Sequence, residues 1–154
     1  MNRWLLIDGH NVIHADADLA RLLNPDPERA RLELERIIAG RQRTTVFHDG
    51  GPGGEARSLR RRGVSVVYSG TGEADDAIIR WLKQHPTERA AVVSDDRELG
   101  RRVRQLGGQL IPAKSFLQHA RQRVDGPVNE APLPAHEVDF WMREFGIDDT
   151  NNAR

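Results

Sequence analysis

One pattern constrains this chain more than any other. A short, mainly apolar run ends, in all but the last case, close to an acid or glycines, and helical spacing follows most of the runs. The runs cover residues 4–7, 44–47, 64–68, 90–94 and 109–111. Among the helical stretches, 27–38 places Ala30, Leu34, Ile37 and Ile38 on one face, and 73–84 does the same with Ile78, Ile79 and Leu82. Residues 97–106 follow with Leu99, Val103 and Leu106, and a further short helix is expected over 113–121. Runs that are apolar throughout, rather than alternating, belong to strands covered on both faces. Strands of that kind alternating with helices predict an α/β fold, a three-layer α/β/α sandwich around a mostly parallel sheet.

A chain of 154 residues fits one ordinary domain with one core. We expect that domain over residues 1–124. Residues 125–134 carry three prolines and a glycine and read as a linker. Helical spacing resumes over 135–145, where Val138, Trp141, Met142 and Phe145 are available either to dock on the body or to bind a protein partner. A frayed end over 148–154 is expected. There is no cysteine, which excludes disulfides, thiolate zinc sites and a cysteine nucleophile. The opening apolar run is too short for a signal peptide, and no stretch reaches the ~20 apolar residues of a membrane span. A cytoplasmic location is therefore expected. Net charge is zero but unevenly spread: 21 basic against 16 acidic side chains up to Val124, and 2 against 7 from Asp125 onward. A basic body suits a polyanionic partner, although arginine-rich solvated faces produce the same count.

The acids of the body fall where the strands end. Asp8 closes the first run, Asp49 follows the second, Glu73, Asp75 and Asp76 open the helix after the third, and Asp95 and Asp96 close the fourth. Ligands of parallel sheets bind outside the carboxyl ends of the strands, so this topology brings distant carboxylates toward one crevice. Carboxylates sharing a site repel each other, and a hard divalent cation such as magnesium or manganese relieves the repulsion. Each acid also has a plain structural use, as a turn residue, a helix cap or a partner of the helix dipole. Their recurrence at four equivalent positions favours a site. Spacing ranks them: Asp75 shares the face of Ile78, Ile79 and Leu82 and points inward, whereas Asp76 keeps company with Arg80 and Lys83. Asp95 lies nearer its strand end than Asp96 and is preferred for that reason.

Other stretches say less. Residues 50–54 are glycine-rich but lack the lysine and hydroxyl of a phosphate-binding loop, so a mobile loop beside the site is expected. Arg57, Arg60, Arg61 and Arg62 follow, either to track a phosphate backbone or to form a solvated helix face. His10, His14 and His48 receive no chemical role, and Ser69 and Ser94 have no Ser-His-Asp arrangement.

In order along the chain, Leu5-Leu6-Ile7-Asp8-Gly9-His10-Asn11-Val12-Ile13, Val46-Phe47-His48-Asp49-Gly50, Glu73-Ala74-Asp75-Asp76-Ala77-Ile78 and Val93-Ser94-Asp95-Asp96 resemble the signatures of the NYN domain. This is a PIN-like nuclease group, and the match is to its YacP-like branch, over about residues 3–117. His48 departs from the pattern by standing between the apolar strand and its aspartate. The resemblance implies a Rossmann- or flavodoxin-like sandwich and divalent-metal endoribonuclease activity with magnesium or manganese. It implies that Asp8, Asp75 and Asp95 hold the metal, that Asn11 supports the first carboxylate or contacts substrate, and that Asp49 is an accessory ligand. Arg57, Arg60 and Arg61 are the candidate RNA contacts. Some relatives of the branch are similar to ribosome-associated nucleases acting on messenger RNA. Three rivals stand at this stage: a non-catalytic RNA- or protein-binding module of the same fold, a phosphatase or receiver-like protein, for which Lys83 and Lys114 are not at compelling positions beside an aspartate nucleophile, and a nuclease acting on DNA.

Overall fold

The computed structural model describes residues 3–125. The linker, acidic helix and tail expected after residue 125 lie outside the described residues.

Six strands form one sheet: β1 (Arg3–Asp8), β2 (Thr44–His48), β3 (Ala56–Arg61), β4 (Val64–Ser69), β5 (Arg89–Val93) and β6 (Gln109–Ile111). Their order is β3-β4-β2-β1-β5-β6. All neighbours pair in parallel except β3 and β4. The helices are α1 (Gly9–His14), α2 (Ala17–Leu23), α3 (Pro27–Ile38), α4 (Ala74–Gln84), α5 (Arg97–Gln105) and α6 (Ala113–Asp125). Leu5, Ile7, Val46, Val66, Ala91 and Val93 face a core built with α1, α2, α3 and α6. Leu6, Phe47 and Val92 point the other way, onto α4 and α5. The expected three-layer α/β/α sandwich is therefore the fold.

The layering follows from the direction of travel. From β1 the chain moves outward through β2 to β4, then returns to the far side of β1 with β5 and continues to β6. Right-handed crossovers running in opposite directions put their helices on opposite faces. The reversal occurs between β1 and β5, and the crevice outside their carboxyl ends is the natural ligand site.

Local chemistry sets the boundaries. Asp26 accepts from the Arg29 amide at 3.1 Å and Pro27 follows at the first position of α3, so the helix begins where it was expected. Three elements were not anticipated. α1 and α2 are six and seven residues long and are capped by Asp8 and Asp16. Residues 56–61 form a strand, not a helix face. β3 is mostly exposed and is held by its antiparallel pairing with β4. The two strands join through Arg62 and Gly63, at φ +54° and +78°, the two positive values of a tight hairpin turn. Its arginines blunt an open sheet edge. Residues 52–54 make one turn of 3-10 helix, and a bridge between Gly50 and Gly70 ties that loop to the end of β4.

Candidate active site at the carboxyl ends of the strands

Asp8 occupies the last position of β1, beside β5, and only 3% of it is exposed. The Ser94 hydroxyl donates to its Oδ2 at 3.0 Å, and the Asn11 amide approaches its Oδ1 at 3.4 Å. The turn into α1 is possible because residue 9 is glycine. A Cβ there would stand 2.5 Å from His48 Nδ1 and 2.8 Å from the Phe47 carbonyl oxygen.

A crevice of about 470 Å³ opens above Asp8, lined by His10, Asn11, Asp49, Glu73, Asp75 and Asp96 together with glycines 50, 70 and 72. Asp49 is held twice. Its Oδ1 accepts from the Ala74 amide at 2.7 Å, capping α4 from another element, and its backbone carbonyl accepts from Arg31 at 2.7 Å. His10 Nδ1 lies 3.6 Å from Asp49 Oδ2 at the exposed rim. Asp75 projects into the crevice from the first turn of α4, as the spacing predicted, while Asp76 pairs with Arg102 at 3.2 Å outside it.

The last pair of acids differs from expectation. Asp95 is exposed, and its Oδ1 accepts from the Ala113 amide at 3.0 Å, capping α6. Asn11 holds it there by accepting from the Asp95 amide at 2.7 Å. Asp96 caps α5, accepting from Glu98 and Leu99, and it is Asp96 that borders the crevice. After a strand ends, distance along the chain no longer says which side chain faces inward, and the two helix caps decide it here. Asn11 accordingly supports Asp8 through its backbone and the Ser94–Asp96 turn through its side chain.

The electrostatics show crowding. Burial, then the Asp75 carboxylate, push the Asp8 carboxyl up to about 6, against the lowering effect of the Ser94 hydroxyl. Asp75 is also raised, by burial first and then by Asp96, Asp49 and Glu73. Among the described residues, no three histidine, aspartate or glutamate side chains are arranged to hold an ion by themselves. The donor set therefore fits a cation held through one or two carboxylates that keeps most of its waters, as magnesium does.

Of the arginines proposed for RNA, Arg57 and Arg60 are exposed on β3, and Arg60 donates to the Gly63 carbonyl. Arg61 is committed inside the protein. Its Nε donates to Glu35 Oε1 at 2.6 Å and its Nη2 to the Tyr68 hydroxyl at 2.8 Å. Glu35 also meets His48 Nε2 at 3.3 Å, and both side chains are 1% exposed. Tyr68 donates onward to Glu28. His48 is thus a buried structural partner. Sequence reasoning missed Ser94 and Asp96 as site residues. Both stood in the Val93-Ser94-Asp95-Asp96 motif, but nothing along the chain showed that Ser94 reaches Asp8 or that Asp96 borders the crevice.

A model of the YacP-like NYN domain matches residues 5–131. The chain is also similar to solved structures of Rae1 (YacP) from Bacillus subtilis. One has 20% identity and a TM-score of 0.65, over 93% of this chain and 83% of that one. A tryptophan-to-leucine mutant of the same protein has 20% identity and a TM-score of 0.62, over 80% and 79%. No curated protein matches the chain.

Proposed function

The chain belongs to the YacP-like NYN domain family, a group of PIN-like, nuclease-type domains, and on that footing we propose that it is a metal-dependent endoribonuclease hydrolysing RNA phosphodiester bonds. The observation that carries the proposal is the Asp8 carboxylate, raised by burial first and then by its neighbour Asp75, in a crevice shared with Asp49 and Asp96. Such a set is costly to build and is useful once a cation and a phosphate enter it.

Asp8 and Asp75 are the residues that would hold magnesium or manganese directly, and Asp96 and Asp49 would reach it through its waters. Asp96 borders the crevice where Asp95 was expected. A bound cation of this kind supplies an activated water and neutralises charge developing on the phosphate. The chain's own residues supply position. Ser94 and Asn11 fix Asp8, the α4 amide and Arg31 fix Asp49, and the α5 amides fix Asp96. RNA as substrate, and messenger RNA at the ribosome in particular, is supported by family resemblance rather than by this geometry.

Wild type and Asp75→Asn should be compared on RNA and DNA oligonucleotides, with manganese and with chelator. We expect wild type to cleave RNA only with manganese, and Asp75→Asn to be slower by at least about 100-fold. Equal cleavage by both proteins, or none by either, overturns the nuclease reading in favour of a binding module. Preferential cleavage of DNA reassigns the substrate.

A further inference from the structure

A second cavity, of about 630 Å³, adjoins the acid crevice and shares Asp96 with it. Its other lining residues are Ser94, Asp95, Arg97, Gly100, Arg104, Leu110 and Pro112, from the ends of β5 and β6 and one face of α5. We propose that this cavity is a subsite for the nucleotide next to the scissile phosphate of a single-stranded RNA, with Arg97 and Arg104 as its phosphate and base contacts. The proposal rests on the ribonuclease reading and adds where the strand goes.

Four arginines lie on α5, and their commitments divide them. Arg101 pairs with Glu98 at 2.6 Å and Arg102 with Asp76 at 3.2 Å. Neither Arg97 nor Arg104 has a carboxylate partner among the described residues, and these two line the cavity. They stand seven residues apart, two turns along one helix face and about 10 Å in rise. Gly100 lies between them on that face. A Cβ there would stand 2.7 Å from the Leu110 side chain, so the missing side chain lets α5 sit close against β6 with the two arginines flanking the gap.

The chemistry suits a nucleotide better than a lone anion. A guanidinium both donates to phosphate oxygens and offers a flat face on which a base stacks. Leu110 and Pro112 add apolar surface, and the mouth is open to solvent, as an unpaired strand requires. The carboxylates at the end nearest the crevice repel phosphate unless a cation intervenes. The arginines lie on the far side of Asp96, so a strand crossing that cap passes from the crevice onto Arg97 and then Arg104.

The test uses the full chain and a fluorescent single-stranded RNA, with binding read by anisotropy in chelator across a salt series. Arg97→Ser/Arg104→Ser is compared with wild type and with Arg29→Ser/Arg80→Ser, which removes two exposed arginines that line neither cavity. Each lost phosphate contact reduces the slope of log K against log salt by about 0.7 for a single strand, so the double variant loses about 0.7 to 1.4. We expect that reduction in the cavity pair and little change in the control pair. With manganese, the cavity pair should raise KM about 10-fold or more while kcat stays within about threefold. Equal slopes and equal KM in the two double variants overturn the subsite while leaving wild-type cleavage intact. If wild type neither binds nor cleaves RNA, the nuclease reading falls and the subsite with it.

Discussion

At the residue scale, adjacent acids of the same type have different duties. Asp95 and Asp96 each cap a helix, but only Asp96 borders the crevice. Asparagine caps a helix about as well as aspartate, so an Asp→Asn change removes the charge and spares the cap. Asp96→Asn should therefore cut RNA cleavage by about 10-fold or more with unfolding within about 0.5 kcal/mol of wild type. Asp95→Asn should leave unfolding near wild type and reduce cleavage by less than Asp96→Asn does. Steady-state cleavage and urea unfolding of the pair check this, and a larger cleavage loss in Asp95→Asn would reverse the assignment. Asp8 and Asp75 were named from strand position and helical spacing alone, because both lie inside regular elements, where periodicity reports direction. Asp95 and Asp96 lie in the turn between two elements, where periodicity says nothing.

At the element scale, the crevice depends on how β2, β3 and β4 are joined to α3. Glu35 on α3 meets His48 on β2 and Arg61 on β3, and Arg61 reaches Tyr68 on β4. The pairing with His48 and Arg61 overcomes burial and holds the Glu35 carboxyl below the usual range. Glu35→Gln leaves Arg61 without its buried countercharge and should cost about 2–3 kcal/mol, less than a fully buried pair because Arg61 is part exposed. Equilibrium urea unfolding measures it. Gly9→Ala should cost about 1–3 kcal/mol by the same assay, because the new methyl meets the Phe47 carbonyl and the His48 ring. A neutral result would show that β1 and β2 can part at that end without loss. These elements also mark where pattern reading stopped. The apolar strands and long helices were legible from their periodicity. β3 was not, because an exposed edge strand made of arginines carries no apolar alternation and is defined by its partner. α1 was hidden because a glycine following an aspartate reads as a turn.

At the scale of the whole molecule, the acid crevice sets stability against function. The Asp8 carboxyl titrates at about 6 in the folded chain and near 3.8 ordinarily. Between those values the folded chain binds more protons than the unfolded one, so this group's contribution is fully present below 3.8 and lost as pH rises through 6. The difference corresponds to up to about 3 kcal/mol at neutral pH. Asp8→Asn should therefore unfold at a higher temperature than wild type near pH 7.5 in chelator, with the advantage shrinking toward about pH 4. Manganese or magnesium should raise the Tm of wild type and barely move that of Asp8→Asn. Thermal scans across pH, with and without the cation, check both points. A wild-type Tm indifferent to either cation would remove the crevice as a cation site.

The sequence by itself determined the fold class, the identity of the long elements and the gathering of acids at strand ends. These are local matters of periodicity and chain order, and the ordered motifs carried the family. Only the tertiary structure decided which acids converge, because that depends on helix caps contributed across the sheet: Ala113 drawing Asp95 away, Ala74 drawing Asp49 in. It likewise decided that Arg61 belongs to a largely buried network and that Arg97 and Arg104, without a carboxylate partner among the described residues, line the cavity beside the crevice. An arginine's role depends on whether a carboxylate is within reach, and that reach is set by packing between elements far apart in the chain.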